Sequence, residues 1–180
     1  MSGKLFACLV FGTLSIPFAL SAQTGSEVPA HAVPRIEREV RHEILMLPYF
    51  GVFDNLAYKV EGYQVTLSGQ VTRPTLKEDA ENVVKQIEGV QKVVNQIEVL
   101  PVSLMDDELR VRLFRAIYGY PALERYAMPV IKPIRIIVKN GDVTLEGVVD
   151  SNADKNLAHH RARSVSGIFS VTNNLRVVKS

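Results

Sequence analysis

The 180-residue sequence contains a single cysteine, Cys8, which lies in a segment that we expect to be removed on export. A mature chain without cysteine has neither disulfides nor thiol catalysis. The sequence also lacks a glycine-rich phosphate loop, a Ser/His/Asp set and a CxxC motif. We therefore expect a protein that is not an enzyme and that uses no cofactor or small-molecule substrate.

The sequence also has no large excess of either basic or acidic residues. The chain has 21 Lys+Arg and 19 Asp+Glu, and removal of Lys4 with the leader leaves 20 against 19, a net charge of +1. This balance argues against a dedicated nucleic-acid binder. His159 and His160 are adjacent, and neighbouring side chains on a helix point about 100° apart, so no metal site is predicted.

The N-terminal apolar run is shorter than the ~20 residues that a spanning helix needs. It covers residues 5–20, contains Pro17, follows Lys4 and precedes small residues up to Ala22. These features are typical of a secretory signal peptide over residues 1–22, cleaved near Ala22. An uncleaved membrane anchor is the alternative. Residues 23–34, which contain two prolines, are expected to form a flexible mature N-terminus.

The rest of the chain is an internal repeat. A shift of 78 residues aligns 58–100 with 136–178 without a gap, and 12 of the 43 positions are identical. Upstream of these ranges the copies align with a shift of 73 residues. The second copy therefore carries a five-residue insertion between its first helix and its first strand. Duplication explains this pattern, and a repeat has to be recognised before any motif is interpreted. We place the repeats at 35–100 and 106–180, joined by a linker at 101–105.

Each repeat shows the order helix, strand, strand, helix, strand. Apolar residues recur at helical spacing in the first helix of each copy, and β-branched runs flank Gly62-Tyr63 in one copy and the hairpin signal Asn140-Gly141 in the other. Capping boxes are predicted at 75–78 and 151–154. The fold class is therefore α+β: two tandem αββαβ units, each with a small three-stranded sheet covered by two helices. The position of the third strand in each sheet stays open.

At this point the sequence resembles the BON family, named for an osmotically inducible periplasmic protein and for nodulation proteins. The resemblance lies in the leading helix, in the hairpin segments 65–71 and 143–149, and in the endings 89–99 and 167–177. The shared residues are glycines, an asparagine and core valines: Gly69, Gly89, Asn95, Gly147, Gly167 and Asn173. We expect structural roles for them. Gly69 and Gly147 should permit a bend or a close helix, Gly89 and Gly167 should end helices, and the asparagines should bond to backbone.

The resemblance implies a periplasmic or outer-envelope location, a peripheral association with membranes and no catalytic residues. It also implies binding to phospholipid surfaces, or stabilisation of envelope and client proteins under osmotic or other stress.

The first helix of repeat 2 differs from that of repeat 1 on the side opposite its core residues. Repeat 1 presents charged residues there, whereas repeat 2 has a second apolar stripe flanked by basic residues: Arg110, Val111, Phe114, Arg115 and Tyr118. Residues 35–100 carry 8 basic and 10 acidic groups, a net of −2, and residues 101–180 carry 12 and 8, a net of +4. Basic residues beside an apolar stripe suit an anionic lipid surface or a partner groove.

Three interpretations of this stripe stay open. The first is internal packing of the stripe, either against repeat 1 or under residues 125–131. The second is contact with a membrane, and the third is binding to a protein partner. The leading functional hypothesis is an envelope protein that associates with anionic phospholipid through repeat 2. The alternatives are a soluble periplasmic chaperone-like protein that contacts clients and a structural adaptor in an envelope complex.

Overall fold

The computed structural model describes residues 32–178 of the chain. The expected signal peptide lies outside the described residues, as does most of the segment 23–34. The first repeat consists of α1 (Ala32–Met46), β1 (Asn55–Glu61), β2 (Gln64–Val71), α2 (Pro74–Lys85) and β3 (Lys92–Val99). The second consists of α3 (Leu104–Tyr118), a 3-10 helix (Pro121–Ala127), β4 (Ile134–Lys139), β5 (Asp142–Val149), α4 (Asn152–Arg163), β6 (Ser170–Asn173) and β7 (Arg176–Val177). The predicted α+β fold with a repeated helix–strand arrangement is confirmed. The predicted three-stranded sheet is observed in the first repeat, whereas in the second repeat the last strand is divided into β6 and β7 and the sheet has four strands.

Three boundaries differ from the sequence prediction. Residues 32–34 already belong to α1, and α3 begins inside the predicted linker, where the Ser103 hydroxyl accepts a hydrogen bond from the Asp106 amide at 3.2 Å. Ser151 caps α4 as predicted, accepting from the Asp154 amide at 3.1 Å. The capping box predicted at 75–78 is wrong. The helix α2 begins earlier, at Pro74, and its N-cap residue Arg73 makes no side-chain hydrogen bond to the helix. Proline at the first helical position lacks one of the amides that a cap would serve.

Each sheet is centred on its second strand. β1 pairs antiparallel with β2, and β3 pairs parallel with β2 on its other side. The second sheet repeats this order with β4, β5 and β6, and β7 continues the line of β6 along β5. Asn140 and Gly141 both have positive φ, 53° and 83°, as the predicted tight hairpin requires. The order left open by the sequence is thus settled, with the third strand beside the second.

The two helices of each repeat cover one face of its sheet, because only that face is continuously apolar. In repeat 1 the predicted helical positions Ile36, Val40 and Ile44 are at most 4% exposed, and they pack with Val65 and Leu67 of β2. Repeat 2 has an equivalent core built on Leu109, Leu113, Ile117 and Leu145. Periods of 3.6 in the helices and 2 in the strands therefore account for these core positions.

Gly69 and Gly147 allow the backbone of a neighbouring strand to approach closely. Their φ angles are +114° and +116°, and a Cβ atom on Gly69 would lie 2.0 Å from the Asn55 carbonyl oxygen. At Gly147 the same distance, 2.0 Å, separates the Cβ position from the Pro133 carbonyl oxygen. The approaching group is the strand backbone and not the helix that the sequence suggested as one option. Only glycine meets both requirements.

The remaining shared residues fasten the last strand to the second helix. The Asn95 side-chain amide donates to the Lys77 carbonyl oxygen at 3.0 Å, and its own oxygen accepts from the Ile97 amide at 3.1 Å. Asn173 makes the matching bonds in repeat 2. Gly89 and Gly167 have φ near +90°, but they lie in the turns that follow the helices and not at the helix caps.

A loop of repeat 1 joins the two repeats. Residues 47–54 connect α1 to β1, and within them the Val52 carbonyl oxygen accepts a hydrogen bond from the Ile136 amide at 2.9 Å. The half-buried guanidinium of Arg135 on β4 donates to the Gly51 carbonyl oxygen at 2.7 Å and stacks on the Phe50 ring at 4.5 Å. Repeat 1 thereby covers the otherwise unpaired edge of β4, which is a common way to protect an edge strand.

Replacement of Gly69 by alanine should cost about 3 kcal/mol or more of unfolding free energy, since the new methyl group meets backbone and φ stays positive. Denaturant unfolding measures the difference. Ser68→Ala is the matched control on the same strand, and it should change stability by no more than about 0.5 kcal/mol. Equal stability of the two variants would contradict the close approach of β1.

Candidate functional site

Tyr118, the last residue of the predicted stripe, is buried. Only 3% of it is exposed, and its hydroxyl donates to the Ile134 carbonyl oxygen at 2.5 Å and accepts from the Ile134 amide at 3.2 Å. Burial raises the pKa of Tyr118 well above its ordinary value, so the phenol stays neutral and keeps its proton for this bond. Tyr118 holds the start of β4 against α3 and is not available to a ligand.

Arg110 is also buried, with 5% exposure. Its guanidinium donates to the Val138 carbonyl oxygen at 2.7 Å and to the Asp107 carboxylate at 2.5 Å. The Asp107 carboxylate offsets the charge of Arg110 and the Val138 carbonyl fixes its position, so Arg110 supports the end of β4 from within the structure. The expectation that Arg110 and Tyr118 form part of an exposed surface is wrong.

Phe114 lies between the two repeats. Its ring makes an edge contact with Phe53 of the 47–54 loop, with centroids 6.4 Å apart, and a tilted contact with Tyr118 at 4.9 Å. Phe114 also packs on the core of repeat 2. The interpretation that the stripe packs against repeat 1 is therefore confirmed for Phe114, since aromatic rings in this arrangement stabilise a contact.

Val111 and Arg115 are the two predicted site residues that remain exposed. Val111 is 44% exposed and lines a groove of about 510 Å³ together with Leu104, Arg112 and Arg115. Val111 also lines an adjoining groove with Val102, which is 95% exposed. We call the exposed set Val102, Leu104, Val111, Arg112 and Arg115 the α3 patch.

The α3 patch is apolar in its middle and mainly basic around it. Leu104, at 83% exposure, is among the most exposed large apolar side chains of the described chain. The two grooves are lined by four arginines, at positions 73, 110, 112 and 115, and by two acids, Asp107 and Glu108. Since Asp107 is paired with Arg110, the basic groups left over outnumber the acidic ones. An exposed apolar patch with basic neighbours is typical of a contact surface.

Leu104 was missed because it fell in the predicted linker. The structure starts α3 at Leu104, so that Leu104, Val111 and Arg115 lie seven and four residues apart on one helical side. This spacing was present in the sequence, and the Ser103 cap that reveals it was not recognised. Arg112, on the same helix, was not part of the predicted stripe, and its guanidinium donates to the Ser166 carbonyl oxygen at 3.1 Å.

The inserted segment of repeat 2 is held by a polar cluster. The Tyr126 hydroxyl donates to the Asp154 carboxylate at 3.0 Å, and Arg125 binds the same oxygen at 2.5 Å. Asp154 is 6% exposed and stands where repeat 1 has the core residue Leu76. A buried carboxylate needs such partners, so the insertion and the buried acid depend on each other. The cluster therefore has a structural role.

Within residues 32–178, no helix is long and apolar enough to cross a bilayer. The same residues contain no group of three or more His, Cys, Asp or Glu side chains placed to hold a metal ion.

Three comparisons place the chain among known proteins. The family model described as BON domain matches residues 33–101 and 122–179. A search of curated proteins finds no match. Among solved structures, CdsD, a structural protein of the type III secretion system of Chlamydia trachomatis, is 12% identical, covers 81% of this chain and 93% of its own, and has a TM-score of 0.30. The C-terminal domain of CdsD is 13% identical, covers 78% and 96%, and has a TM-score of 0.28. Scores this low carry no argument about this chain.

Phe53 and Phe114 should be energetically coupled, since each ring is the other's neighbour across the repeats. A double-mutant cycle with Phe53→Ala and Phe114→Ala should give a coupling of about 0.5–1.5 kcal/mol in unfolding free energy. Val111→Ala, one turn away and exposed, serves as the control and should cost no more than about 0.5 kcal/mol. Strict additivity of the two phenylalanine variants would contradict the contact.

Proposed function

Because this chain belongs to the BON-domain family and carries two copies in tandem, we propose that it is an envelope protein that binds anionic phospholipid surfaces through its α3 patch. The family is one of non-catalytic binding domains, generally associated with phospholipid or membrane binding. Export, a periplasmic location and a peripheral position on a membrane belong to the same proposal. They are motivated by the N-terminal residues 1–22.

The observation that carries the proposal is the exposed apolar part of the α3 patch beside Arg112 and Arg115. Leu104 and Val111 would enter the boundary between headgroups and acyl chains, while the two guanidinium groups stay level with the phosphates. Each basic residue near an anionic bilayer contributes about 1 kcal/mol to binding. Two such residues with two apolar side chains would give a reversible association and not a permanent anchor.

Repeat 1 has a supporting role in this proposal. Its 47–54 loop fixes Phe114 and Arg135, and with them the orientation of α3 relative to β4. The corresponding helix, α1, offers no comparable surface, since its outward side is formed by charged residues of both signs between positions 37 and 43. The proposal therefore assigns the lipid contact to repeat 2.

Flotation with vesicles containing phosphatidylglycerol should recover the protein at low salt, and recovery should fall as salt is raised. The variant Arg112→Gln/Arg115→Gln should bind about tenfold or more weakly, and Leu104→Ser/Val111→Ser should also lose binding. The matched control is Arg38→Gln/Lys92→Gln, which removes the same charge from exposed positions of repeat 1 and should bind normally.

Two results would contradict the proposal. Equal weakening by the control would indicate attraction by net charge alone. Absence of vesicle binding, together with suppression of client aggregation that depends on Leu104 and Val111, would favour the chaperone-like alternative.

A further inference from the structure

Each repeat contains a groove between its first helix and its first strand, but only one of the two grooves is filled. In repeat 2 the segment Val52-Phe53 lies there, bonded to Ile136 and packed on Phe114. The repeat alignment places Arg41 at the position of Phe114 and Tyr58 at that of Ile136. The corresponding groove of repeat 1, between α1 and β1, has a volume of about 370 Å³ and is occupied by no described segment.

The open groove has an apolar floor. Leu45, Phe50, Leu56 and Tyr58 line it, and none of them is fully buried. The Tyr58 hydroxyl donates to the Glu37 carbonyl oxygen at 3.2 Å, which holds the ring across the gap between strand and helix. The volume falls within the usual range for small-molecule sites, roughly 300–1,000 Å³, where apolar walls and a few polar groups are typical.

Three arginines surround this apolar floor. Arg41 comes from α1, Arg135 from β4 and Arg176 from β7, and no acidic side chain lines the groove. Within residues 32–178, none of the three forms a salt bridge. Arg135 is held in place by its bond to Gly51 and its stacking on Phe50, whereas the other two are exposed.

Two acids that lie near Arg135 accept hydrogen bonds from neutral amides and form no salt bridge with it. The Asp54 carboxylate accepts hydrogen bonds from the Gly51 and Thr72 amides, and Glu146, opposite Arg135 in the sheet, accepts from the Asn174 side chain. The groove thus presents positive charge that these acids do not neutralise by direct contact. A bound anion would gain charge-assisted hydrogen bonds, with guanidinium geometry suited to carboxylate or phosphate.

We propose that the groove between α1 and β1 is a binding site for one anionic amphiphile, with its chain on Leu45, Leu56 and Tyr58 and its acidic head between Arg41, Arg135 and Arg176. The ligand class is a single-chain carboxylate or phosphate ester. The site shares no residue with the α3 patch, and it does not depend on the function proposed for that patch.

A second copy of this chain would fit the groove between α1 and β1 less well than an acidic ligand, because of its charge. The residues of repeat 2 that correspond to Val52-Phe53 are Val130-Ile131, and they are exposed, as such a contact would require. However, Lys132 follows them, and a lysine approaching three arginines is repelled. The charges on both sides therefore favour an acidic ligand.

The test is calorimetric titration of the protein with monododecyl phosphate below its critical micelle concentration. One molecule should bind per chain, whereas inorganic phosphate and the neutral detergent dodecyl maltoside should bind at least about tenfold more weakly. A second titration with dodecanoate in place of the phosphate ester shows which head group is preferred. Stoichiometric binding of either ligand supports the proposed site.

Arg41→Gln/Arg176→Gln should weaken binding of dodecyl phosphate about tenfold or more, since both side chains are exposed and their loss leaves the fold intact. Arg38→Gln/Lys92→Gln removes the same charge outside the groove and should leave this affinity unchanged. The groove variant should still float with anionic vesicles, and the Arg112→Gln/Arg115→Gln variant should still bind dodecyl phosphate, which separates this inference from the proposed membrane contact.

The inference is overturned if no stoichiometric binding occurs or if the control weakens binding as much as the groove variant does. It is also overturned if the protein self-associates with rising concentration and Leu45→Glu abolishes that association. The groove would then be an interface between copies.

Discussion

The packing of Val52 and Phe53 of repeat 1 against α3 and β4 of repeat 2 is the contact on which the rest of the arrangement depends. The Val52 carbonyl pairs with the exposed edge of β4, and the Phe53 ring lies against Phe114. A strand edge and an aromatic side chain that would otherwise face water are covered together. This contact occupies the Phe114 side of α3 and leaves Val111 and Arg115 exposed beside it.

The same contact explains why two repeats with one fold have different surfaces. Each repeat needs its first helix and first strand to enclose a core, and both use the same glycine and asparagine positions to do so. In repeat 2 the groove beside that helix is closed by repeat 1, and Arg110 and Tyr118 of the same helix support β4 from within the structure. In repeat 1 the groove stays open and is surrounded by arginines.

The sequence predicted what depends on local periodicity. Core positions, the hairpin at Asn140-Gly141 and the family match all followed from spacing and from the repeat. The packing of Phe114 against repeat 1 could not be predicted in this way. A helical wheel shows on which side of the helix a residue lies, but not which distant segment of the chain packs against that side. Phe53 lies more than sixty residues earlier in the chain. Asp154 was unpredictable for the same reason, since its burial depends on Arg125 and Tyr126 of the insertion.

The central claim is that the outward side of α3 contacts anionic membranes while α1 does not. Cys8 is the only cysteine, so a Cys8→Ser chain with one new cysteine can carry a single environment-sensitive fluorophore. With the label on Val111→Cys, anionic vesicles should shift the emission to shorter wavelength, as expected for transfer from water to the acyl boundary. With the label on Arg38→Cys, at the corresponding position of α1, the emission should not change. Equal shifts at both positions, or no shift at position 111 while the protein floats with the vesicles, would contradict the account.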